Sequence, residues 1–554
     1  MAYGSTLHLE SDTSTTRKLR GAFFTPPELA EALSSWAVRL PNDRVLEPAC
    51  GEAEFLIAAC RRLSDLGASL SDISSNVRGF ELHQQSAQAA RKRCKDLLFE
   101  PEITAGDFLQ AKPEPHFDAV IGNPPYVRFQ LIDNTQKASI REISYRSGLD
   151  ISPMASAWAP FVVHASAFLK EGGRLAFVLP AELMTVNYAS SIRSFLMDEF
   201  SEISLVTFDS QVFPEVQEEV VLLFAGGYHL GPTDRIIWRQ CSDEKSLFSV
   251  PAQVFYPSST NNKWSSGLMQ ASALDSLSRL EESGFCRMGE WGRFFLGSVT
   301  GNNRYFALSK KEAQDLGLTQ AELLPLSPPG SSHLRNLAFT RKSYSDLEAK
   351  GKRTRLFYPG DELSSAATAY IQHGVELGVN NAYKCRKRSP WWRVPLTKIP
   401  DAFLTYMNDY APNLCANEAQ CYCLNSVHGI VFKDELRELG MSLLSLACIN
   451  SATLLSSEIE GRAYGGGILK IEPREARRLL VPSPSLIESC SSNLKKIKEE
   501  ATSLLVSGNL SAVRDKVDSI LFDSMAWAND ACLEALQSDK ERLYKRRRQR
   551  NKKK

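Results

Sequence analysis

The amino-acid sequence predicts an α/β fold whose first 230 residues form a doubly wound, mostly parallel sheet. Short apolar runs of strand length alternate there with segments of helical periodicity. One of these runs, 119–121, is apolar throughout, which is typical of a strand buried on both faces. Beyond about residue 228 the alternation gives way to a mixed, proline-punctuated region, which indicates a second domain.

The pattern places the elements of the first domain in order. Apolar residues at helical spacing predict five helices, at 29–37, 54 to about 66, 84–97, 155–170 and near 188–197. Gly172 and Gly173 are predicted to end the fourth of these helices. The first predicted strand begins at residue 45, the second covers 77–80, and a third short strand leads to residue 106. Further strands are predicted at 119–121 and 175–179, followed by an antiparallel hairpin at 203–208 and 220–224.

The composition is that of a globular enzyme with more than one domain. A chain of 554 residues is too long for one core, and 43% hydrophobic with 23% charged residues is ordinary for soluble proteins. No apolar run approaches the roughly 20 residues that span a bilayer, and the polar N-terminus lacks a signal-peptide core. We therefore expect a cytoplasmic protein without a membrane partner.

Cysteine usage predicts reduced thiols. The twelve cysteines show no repeating CxxC pair. Cys415, Cys421 and Cys423 form one cluster, but their spacing lacks the paired ligands of a zinc site. We therefore predict no metal centre.

The stretch that organises the first domain is FDAVIGNPPY, residues 117–126. Pro124 and Pro125 end sheet pairing and stiffen the loop after the strand. The Asn123 side chain and the Pro124 carbonyl are acceptors for the two protons of an amine, and Tyr126 offers a flat aromatic face. Accepting both protons returns electron density to a ring-bound nitrogen, so the loop suits methylation of such an amine. The alternative is an ordinary Pro-Pro turn.

The segment FTPPE, residues 24–28, precedes the first helical pattern. Thr25 fits an N-cap, Pro26 the first helical turn, and Glu28 the reciprocal partner of a capping box. The same helix N-terminus presents backbone N–H groups and a hydroxyl to a ligand carboxylate. The sequence leaves both interpretations open.

The segment 45–56 predicts a buried strand, a turn of small residues and a helix. Ala49 and Gly51 let a ligand approach the backbone closely. No GxGxxG occurs, and Glu47 and Glu52 would repel a pyrophosphate, so a cofactor with a cationic end is favoured.

Two later strand ends complete a candidate cofactor site. Glu81 follows the second strand, where a carboxylate accepts hydrogen bonds from both hydroxyls of a ribose. Asp107 follows the third strand and can accept from an adenine amino group, while Phe108 covers the ring. Cofactors of doubly wound sheets lie at such strand ends, and the Asn-Pro-Pro-Tyr strand closes the set.

In this order, the segments resemble the N6-adenine DNA methyltransferases of the gamma arrangement, the TaqI-like or Eco57I-like type of bacterial restriction-modification systems. The resemblance implies the Rossmann-like fold of class I methyltransferases and S-adenosyl-L-methionine as cofactor. Ala53 departs from the family pattern, because many relatives have a second glycine there. The residues implied at the cofactor are Thr25, Glu47, Ala49 and Gly51 for the methionine part, Glu81 for the ribose, and Asp107 and Phe108 for the adenine.

The resemblance also implies that the target adenine is flipped out of duplex DNA, since an amine inside the duplex cannot reach a cofactor at the sheet edge. Extrusion costs a few kcal/mol, and aromatic stacking returns roughly 1 to 3 kcal/mol per base. In the family, the aromatic of a Phe-Pro element packs on the base opposite the tyrosine, and Phe213 holds that place here. An ordinary hairpin or core aromatic is the alternative for Phe213.

Two basic stretches with interleaved aromatics stand out in the second half, at 341–358 and 383–393. Such a mixture suits phosphate contacts combined with base-edge or stacking contacts, while a solvated charged face is the alternative. The family carries its target-recognition domain in this position, so the resemblance favours binding of double-stranded DNA. The candidate DNA-binding residues are Lys352, Arg353, Arg355, Arg386, Lys387, Arg388, Trp391, Trp392 and Arg393.

The C-terminal segment is helical by pattern, with predicted helices at 486–505 and 512–536. From Lys540 onward it holds ten Lys or Arg and one Glu, which predicts a disordered basic tail. Such a tail holds DNA nonspecifically or only solubilises the protein. The glycines at 465–467 lack the strand-to-helix frame of a phosphate loop, so we predict a flexible turn there.

The predicted organisation is a flexible N-terminus at 1–20, a methyltransferase domain at 21–230, a mixed α+β target-recognition domain at 231–484, and a helical segment with a basic tail at 485–554. The predicted function is site-specific N6 methylation of adenine in duplex DNA within a type II system, with a cognate restriction endonuclease as a further partner and a monomer as the favoured state. The alternatives are a protein-glutamine methyltransferase, an RNA adenine methyltransferase, a catalytically silent DNA-binding subunit, and a fused nuclease, for which no metal-carboxylate constellation is evident in the sequence.

Overall fold

The structure is a computed structural model that describes residues 25–127, 129–152, 155–208, 219–243, 246–257 and 263–549. The described residues form two compact units, the first ending at Leu268 and the second beginning at Met269. Phe213, the predicted stacking partner of the base, lies outside the described residues.

The first unit is built on one sheet. Its strands are β1 (Val45–Glu47), β2 (Val77–Glu81), β3 (Glu102–Ala105), β4 (Phe117–Gly122), β5 (Leu169–Pro180), β6 (Phe200–Phe208), β7 (Val220–Tyr228), β8 (Ile236–Cys241) and β9 (Gln253–Phe255). They lie in the order β3-β2-β1-β4-β5-β7-β6-β8-β9. Neighbours among β1 to β5 pair in parallel, whereas β7 is antiparallel to β5 and β6. The predicted mostly parallel sheet with a C-terminal antiparallel hairpin is confirmed.

The helices of the first unit are α1 (Pro27–Ala37), α2 (Glu54–Asp65), α3 (Leu70–Asn76), α4 (Gln84–Asp96), α5 (Asn134–Ser147), α6 (Trp158–Ser166), α7 (Glu182–Thr185) and α8 (Ser190–Glu199). In α1, Leu29, Leu33 and Ala37 recur at helical spacing and are fully buried. This face contacts β4 and β5, and each buried leucine contributes about 1.5–3 kcal/mol to stability.

The central strand β4 carries the Asn-Pro-Pro-Tyr loop. Ala119, Val120 and Ile121 are fully buried, and β4 lies between β1 and β5. Asp118 stands at the start of the apolar run, and its carboxylate accepts from the backbone N–H of Arg44 at 2.8 Å. Burial on both faces therefore explains the uninterrupted apolar run.

The region that follows the loop differs from the prediction. Helix α6 is shorter than the predicted helix at 155–170, and Gly172 and Gly173 lie inside β5 instead of ending a helix. The pairing of β4 with β5 shifts its register after Phe117, and Gly172 has a φ of 77°. Glycine adopts this left-handed conformation at little cost, so the pair permits an irregularity within the strand.

The sheet also continues beyond the predicted domain boundary at residue 230. Strand β8 pairs in parallel with β6, and β9 pairs antiparallel with β8. The fully buried Trp238 secures β8 by donating from its indole nitrogen to the hydroxyl of Thr207 at 3.2 Å. The alternating helix and strand pattern ends before this point because no helix separates β7 from β8.

The second unit contains several small antiparallel sheets. Its strands are β10 (Phe285–Arg287), β11 (Gly292–Leu296), β12 (Ala307–Leu308), β13 (Leu323–Pro325), β14 (Arg355–Phe357), β15 (Ala402–Thr405), β16 (Met407–Asn408), β17 (Leu414–Ala416), β18 (Val427–Phe432), β19 (Arg462–Tyr464), β20 (Ile468–Lys470) and β21 (Leu480–Pro482). The sheets have the orders β11-β18-β15-β17, β12-β14-β13, β16-β20-β19 and β10-β21.

The helices of the second unit are α9 (Ala271–Ser283), α10 (Asn303–Phe306), α11 (Lys310–Asp315), α12 (Arg341–Ala349), α13 (Ser365–Glu376), α14 (Tyr383–Arg386), α15 (Arg437–Leu439), α16 (Ser445–Ala447), α17 (Ser451–Glu460), α18 (Pro473–Ala476), α19 (Pro484–Val506), α20 (Leu510–Phe522) and α21 (Asp530–Gln549). The helix predicted at 486–505 agrees with α19. The single helix predicted at 512–536 is instead two, α20 and α21, which confirms helical character but not continuity.

The prediction of a disordered basic tail is wrong for the residues up to 549. They continue α21, in which Lys540, Arg546 and Arg547 are at most 6% exposed. The guanidinium of Arg547 donates to the carboxylate of Glu458 at 2.8 and 2.9 Å and to the backbone carbonyl of Asp409 at 2.9 Å. These acceptors, far away in sequence, neutralise a charge run that by itself resembles a solvated tail.

Within the described ranges, no single helix is long and apolar enough to cross a membrane. One bent pair, Asp434–Ala447 with Ser451–Glu460, meets that test by length and composition.

Candidate active site

The candidate active site lies at the carboxyl ends of the central parallel strands. Strands β1, β2 and β4 end at Glu47, Glu81 and Gly122, and their parallel pairing brings these ends to one edge of the sheet. A cavity of about 370 Å³ opens there, a size suited to a small-molecule cofactor. All seven predicted cofactor residues line it, namely Thr25, Glu47, Ala49, Gly51, Glu81, Asp107 and Phe108, together with Asn123 and Pro125 of the loop.

The turn after β1 brings backbone close to the cavity. Gly51 has a φ of 50°, and Ala53 has a φ of 70° and a ψ of 24°, which is also left-handed. An alanine in this conformation costs about 1–2 kcal/mol, which explains why glycine is the expected residue. The N–H of Ala53 donates to the carbonyl of Cys50 at 2.7 Å, and α2 begins at the next residue. The departure at Ala53 therefore leaves the turn intact.

The carboxylate of Glu81 is fixed by two backbone donors. The N–H of Gly51 and the N–H of His83 each donate to one of its oxygens at 2.8 Å. Hydrogen bonds to an ionised acceptor are stronger than neutral ones, so the side chain is held in place before any ligand binds. Each carboxylate oxygen retains a further lone pair for a ligand hydroxyl.

Glu47 is an acidic group buried at the cavity wall. The side chain is 2% exposed, and its Oε2 atom has no hydrogen-bond partner among the described residues. Burial raises the pKa of Glu47 well above its ordinary value, and the charges of Glu81 and Glu54 raise it further, against a backbone hydrogen bond involving Leu56. A cationic group of a ligand would stabilise the ionised form, which fits the predicted preference for a cofactor with a cationic end.

Asp107 and Phe108 occupy the turn after β3. One oxygen of Asp107 accepts from the N–H of Leu109 at 3.0 Å, so the carboxylate caps the short helix Phe108–Gln110. The Phe108 ring is 2% exposed and packs against Phe80 at 5.4 Å between centroids. Phe108 therefore forms a rigid apolar wall of the cavity.

His164, which no sequence motif singled out, supports Phe108 from behind. Its Nε2 atom lies 3.0 Å from the Phe108 carbonyl, and its Nδ1 atom lies 2.8 Å from the guanidinium of Arg146. The carbonyl only accepts and the guanidinium only donates, so the ring is neutral with its proton on Nε2. Burial lowers the pKa of His164 to about 4, and the charge of Arg146 lowers it further.

The Asn-Pro-Pro-Tyr loop presents an unpaired acceptor. The Asn123 amide nitrogen donates to the Thr25 hydroxyl at 3.2 Å, which leaves the amide oxygen buried without a hydrogen-bond partner among the described residues. The Tyr126 hydroxyl donates to the carbonyl of Val178 at 3.1 Å, and the tyrosine is 8% exposed. These bonds fix the orientation of both side chains.

Thr25 does not cap α1, so the predicted capping box is wrong. The helix begins at Pro27, its N-cap is Pro26, and no side chain caps it. The two consecutive prolines lack N–H groups and move the helix start one residue along the chain. The Thr25 hydroxyl is thereby available to Asn123.

A second group missed by the sequence analysis lies behind the loop. The Glu182 carboxylate accepts from the Ser156 hydroxyl at 3.2 Å and from the Tyr188 hydroxyl, and the N–H of Ala157 donates to the carbonyl of Val127 at 2.8 Å. Burial raises the pKa of the Tyr188 phenol, and the charge of Glu182 raises it further. Since Val127 directly follows Tyr126, this network anchors the end of the loop.

The predicted DNA-binding residues of the second unit divide into two groups. Lys352, Arg386 and Lys387 are exposed. The others contact the protein itself. Three arginines form ion pairs: Arg353 with Glu312 at 2.8 Å, Arg355 with Glu348, and Arg393 with Asp361 at 2.6 Å. Arg388 donates to the Thr300 carbonyl at 2.8 Å, and Trp391 and Trp392 pack against a buried cluster that contains Tyr305 and Phe306. These six have a structural role whether or not they also reach DNA.

Metal-binding groups are not evident in the described parts of the chain. No group of three or more His, Cys, Asp or Glu side chains there is arranged to hold a metal ion. All twelve cysteines are buried and free, and Cys415, Cys421 and Cys423 belong to an apolar core cluster with Phe403.

Comparison with known proteins agrees with the geometry. Residues 6–237 match the family described as N-6 DNA Methylase, and residues 261–522 match the C-terminal domain of the Type II methyltransferase M.Eco57I. The chain is 22% identical to Type II methyltransferase M.AccI of Acinetobacter calcoaceticus, over 92% of this chain and 94% of that protein. It is 25% identical to Type II methyltransferase M.XamI of Xanthomonas campestris pv. amaranthicola, over 84% and 85% respectively.

The fold is similar to that of the Type IIL restriction-modification enzyme MmeI, whose structure was solved in complex with DNA. The TM-score is 0.57 at 13% sequence identity, covering 94% of this chain and 75% of that one. The two matched family regions follow each other in the predicted order, and the relatives align along nearly the whole chain. Both findings support the cofactor site predicted from the motifs that line the cavity. The chain therefore belongs to the N6-adenine DNA methyltransferases of restriction-modification systems, which use S-adenosyl-L-methionine as methyl donor.

Proposed function

We propose that the chain transfers a methyl group to the N6 amine of an adenine flipped out of duplex DNA, as the modification enzyme of a type II restriction-modification system. The observation that carries this proposal is the amide oxygen of Asn123, which is buried at the cavity without a hydrogen-bond partner among the described residues. An unpaired buried acceptor costs about 1–3 kcal/mol, and buried polar groups are nearly always paired. A ligand amine would supply the missing donor.

The loop activates the amine by accepting its protons. The Asn123 oxygen takes one N–H and the Pro124 carbonyl takes the other, which returns electron density to the nitrogen. Thr25 holds the amide nitrogen of Asn123, so the oxygen is the atom presented to the substrate. Because these acceptors are fixed beforehand, little reorganisation is needed at the moment of reaction.

The cofactor is held by the residues at the strand ends. S-adenosyl-L-methionine supplies, when bound, a methyl group carried on a cationic sulfur. Glu47 would lie beside the cationic end, Glu81 would accept from the ribose hydroxyls, and Asp107 would accept from the adenine amino group. The buried unpaired oxygen of Glu47 and the fixed carboxylate of Glu81 support this orientation.

The flipped base stacks on Tyr126, and Phe213, which lies outside the described residues, stays the predicted partner for the opposite face. The hydroxyl of Tyr126 is bound to Val178, so its ring is held in one orientation and loses little further freedom when a base stacks on it. Stacking of roughly 1 to 3 kcal/mol per base offsets part of the cost of extrusion.

The second unit is the target-recognition domain, and it contacts the duplex through the exposed cations Lys352, Arg386 and Lys387. The enzyme works as a monomer in the cytoplasm, beside a cognate endonuclease that cuts the same site when it is unmethylated. The exposed cations suit phosphate contacts, which position the protein on DNA without reading sequence.

A transfer assay with three acceptors tests the function. The purified protein is mixed with methyl-labelled S-adenosyl-L-methionine and with duplex DNA, RNA or a glutamine-bearing protein. We expect label in duplex DNA, recovered as N6-methyladenine after digestion to nucleosides. Label only in RNA or only in the protein would assign the loop to those amines instead, and DNA binding without any transfer would indicate a catalytically silent subunit.

A further inference from the structure

A cavity in the second unit collects three cations that lie outside both predicted basic stretches. Arg293 lies on β11, Lys433 directly follows β18, and Arg477 directly follows α18. Together with Gly289, Gly292 and Phe294 they line a cavity of about 400 Å³. All three are exposed, and none of their side chains makes a hydrogen bond or an ion pair with the part of the chain that the structure describes.

The carboxylates nearby are mostly engaged elsewhere. Glu290 accepts from the backbone N–H of Arg287 at 3.3 Å, and Asp434 pairs with Arg437 at 3.3 Å. Glu435 is the remaining exposed carboxylate next to Lys433 in sequence. The described residues that line the cavity include these three cations and no carboxylate, so the lining has an excess of positive charge, which favours an anionic ligand.

The backbone beside Arg293 belongs to an edge strand. Strand β11 is at the edge of its sheet, so alternate N–H groups point away from the neighbouring strand. A Cβ atom at Gly292 would lie 2.2 Å from the carbonyl oxygen of Val431, so only glycine permits this close approach of the strands. Cationic side chains such as these three are donors that bind phosphate groups.

Three cations of the predicted basic stretches, Arg353, Arg388 and Arg393, differ from those of the cavity because they are already bound. Arg353 and Arg393 each have a carboxylate partner, and Arg388 donates to backbone carbonyls. Moving such a group onto DNA would break existing interactions, whereas Arg293, Lys433 and Arg477 would break none with the described residues.

We propose that the cavity formed by Arg293, Lys433 and Arg477 binds a phosphate of the DNA backbone. The inference rests on the proposed function, since it takes the second unit to be the part that holds duplex DNA. The contact is independent of base sequence and fixes the position of the domain on the duplex. Each phosphate contact releases condensed counterions, so it contributes a term that weakens with rising salt.

The test compares two triple variants of the full chain. The first carries Arg293→Gln, Lys433→Gln and Arg477→Gln. The matched control carries Lys311→Gln, Lys495→Gln and Lys496→Gln, three exposed lysines of the same unit that do not line the cavity. Both variants have three fewer positive charges, so the overall change in electrostatic attraction is the same. Binding is measured between about 50 and 200 mM salt for a duplex that the wild type methylates and for an unrelated duplex.

We expect the cavity variant to flatten the slope of log K against log salt by about 0.9 for each phosphate that the protein no longer neutralises. Its affinity at about 0.1 M salt should fall roughly fivefold to tenfold for each such phosphate, equally for both duplexes. The control should change both quantities far less. Unchanged affinity for S-adenosyl-L-methionine and an unchanged Tm show that the cavity variant is folded.

Two results overturn the proposal, namely a cavity variant with wild-type slope and affinity, and a control that weakens as much as the cavity variant. If the cavity variant bound inorganic phosphate more weakly than the wild type but bound the duplex equally well, the proposal would also be overturned, because the cavity would then hold a free anion. Failure of the wild type to bind any duplex is a different result, which contradicts the proposed function itself.

Discussion

The two units differ in how their sequence motifs relate to three-dimensional position. In the first unit, residues from 25 to 123 that were selected from separate motifs line one cavity. In the second, several cations selected from two basic stretches are bound to protein acceptors, while an unselected trio lines a cavity. Strand ends in a parallel sheet meet at one edge by topology, whereas the surroundings of a surface arginine depend on whatever packs beside it.

The largest effect is expected for Asn123, at the cavity of the first unit. Asn123→Ala removes the unpaired acceptor, and the rate of methyl transfer should fall about 10²- to 10³-fold, the usual cost of losing one group that stabilises a transition state. Affinity for S-adenosyl-L-methionine should change little. Single-turnover kinetics and calorimetry measure the two quantities, and Asn134→Ala, an exposed residue outside the cavity, is the control. Normal turnover in Asn123→Ala would contradict the assigned role.

A somewhat smaller effect is expected at the cofactor. Glu81→Gln replaces the carboxylate that accepts from Gly51 and His83. Charge-assisted hydrogen bonds are worth about 1.5–3 kcal/mol, so affinity for S-adenosyl-L-methionine should fall about 10- to 150-fold. The control is Glu102→Gln, whose carboxylate lies on the neighbouring strand and pairs with Arg78. Equal calorimetric affinities for wild type and Glu81→Gln would remove Glu81 from the cofactor site.

The bond between Thr25 and Asn123 should give a moderate effect. Thr25→Val keeps the shape of the side chain and removes the hydroxyl that orients the amide. Loss of one neutral hydrogen bond, about 0.5–1.5 kcal/mol, should lower kcat about two- to tenfold. Thr25→Ser should restore it. Because Thr25 also lines the cavity, cofactor affinity is measured separately, and a loss confined to that affinity would mean that Thr25 only borders the cofactor.

The smallest effects are expected for the exposed and bound cations of the second unit. Replacing the exposed Arg386 and Lys387 with Gln should weaken duplex binding severalfold and flatten its salt dependence by about 0.9, the value for one phosphate contact. Arg388→Gln should instead lower the Tm, because the guanidinium donates to the carbonyls of Thr300 and Val299. Salt titrations and thermal unfolding separate the two outcomes. A flattened slope with an unchanged Tm in Arg388→Gln would show that Arg388 contacts DNA after all.

Particular residues show how far sequence reasoning reaches. Glu81 and Asp107 could be predicted as cofactor residues because an acidic residue after a buried strand is a recognisable local pattern, and both line the cavity. His164 was missed because a single histidine in an apolar helix carries no distinctive spacing. The predicted capping role of Thr25 is wrong because the helix begins at Pro27, and the hydroxyl instead bonds to Asn123, a residue 98 positions away in sequence.

The sheet and the order of its motifs could be predicted from the sequence, because apolar periodicity and strand-end residues are local properties that topology then brings together. The resemblance that these motifs carry implied the family and the cofactor. The charges that are already bound became evident from the packing of distant segments. The basic residues of α21 illustrate this, since Arg547 is buried against Glu458 and Asp409 rather than free in a tail. Neutralisation of a charge depends on acceptors distant in sequence, and a pattern read along the chain contains no record of them.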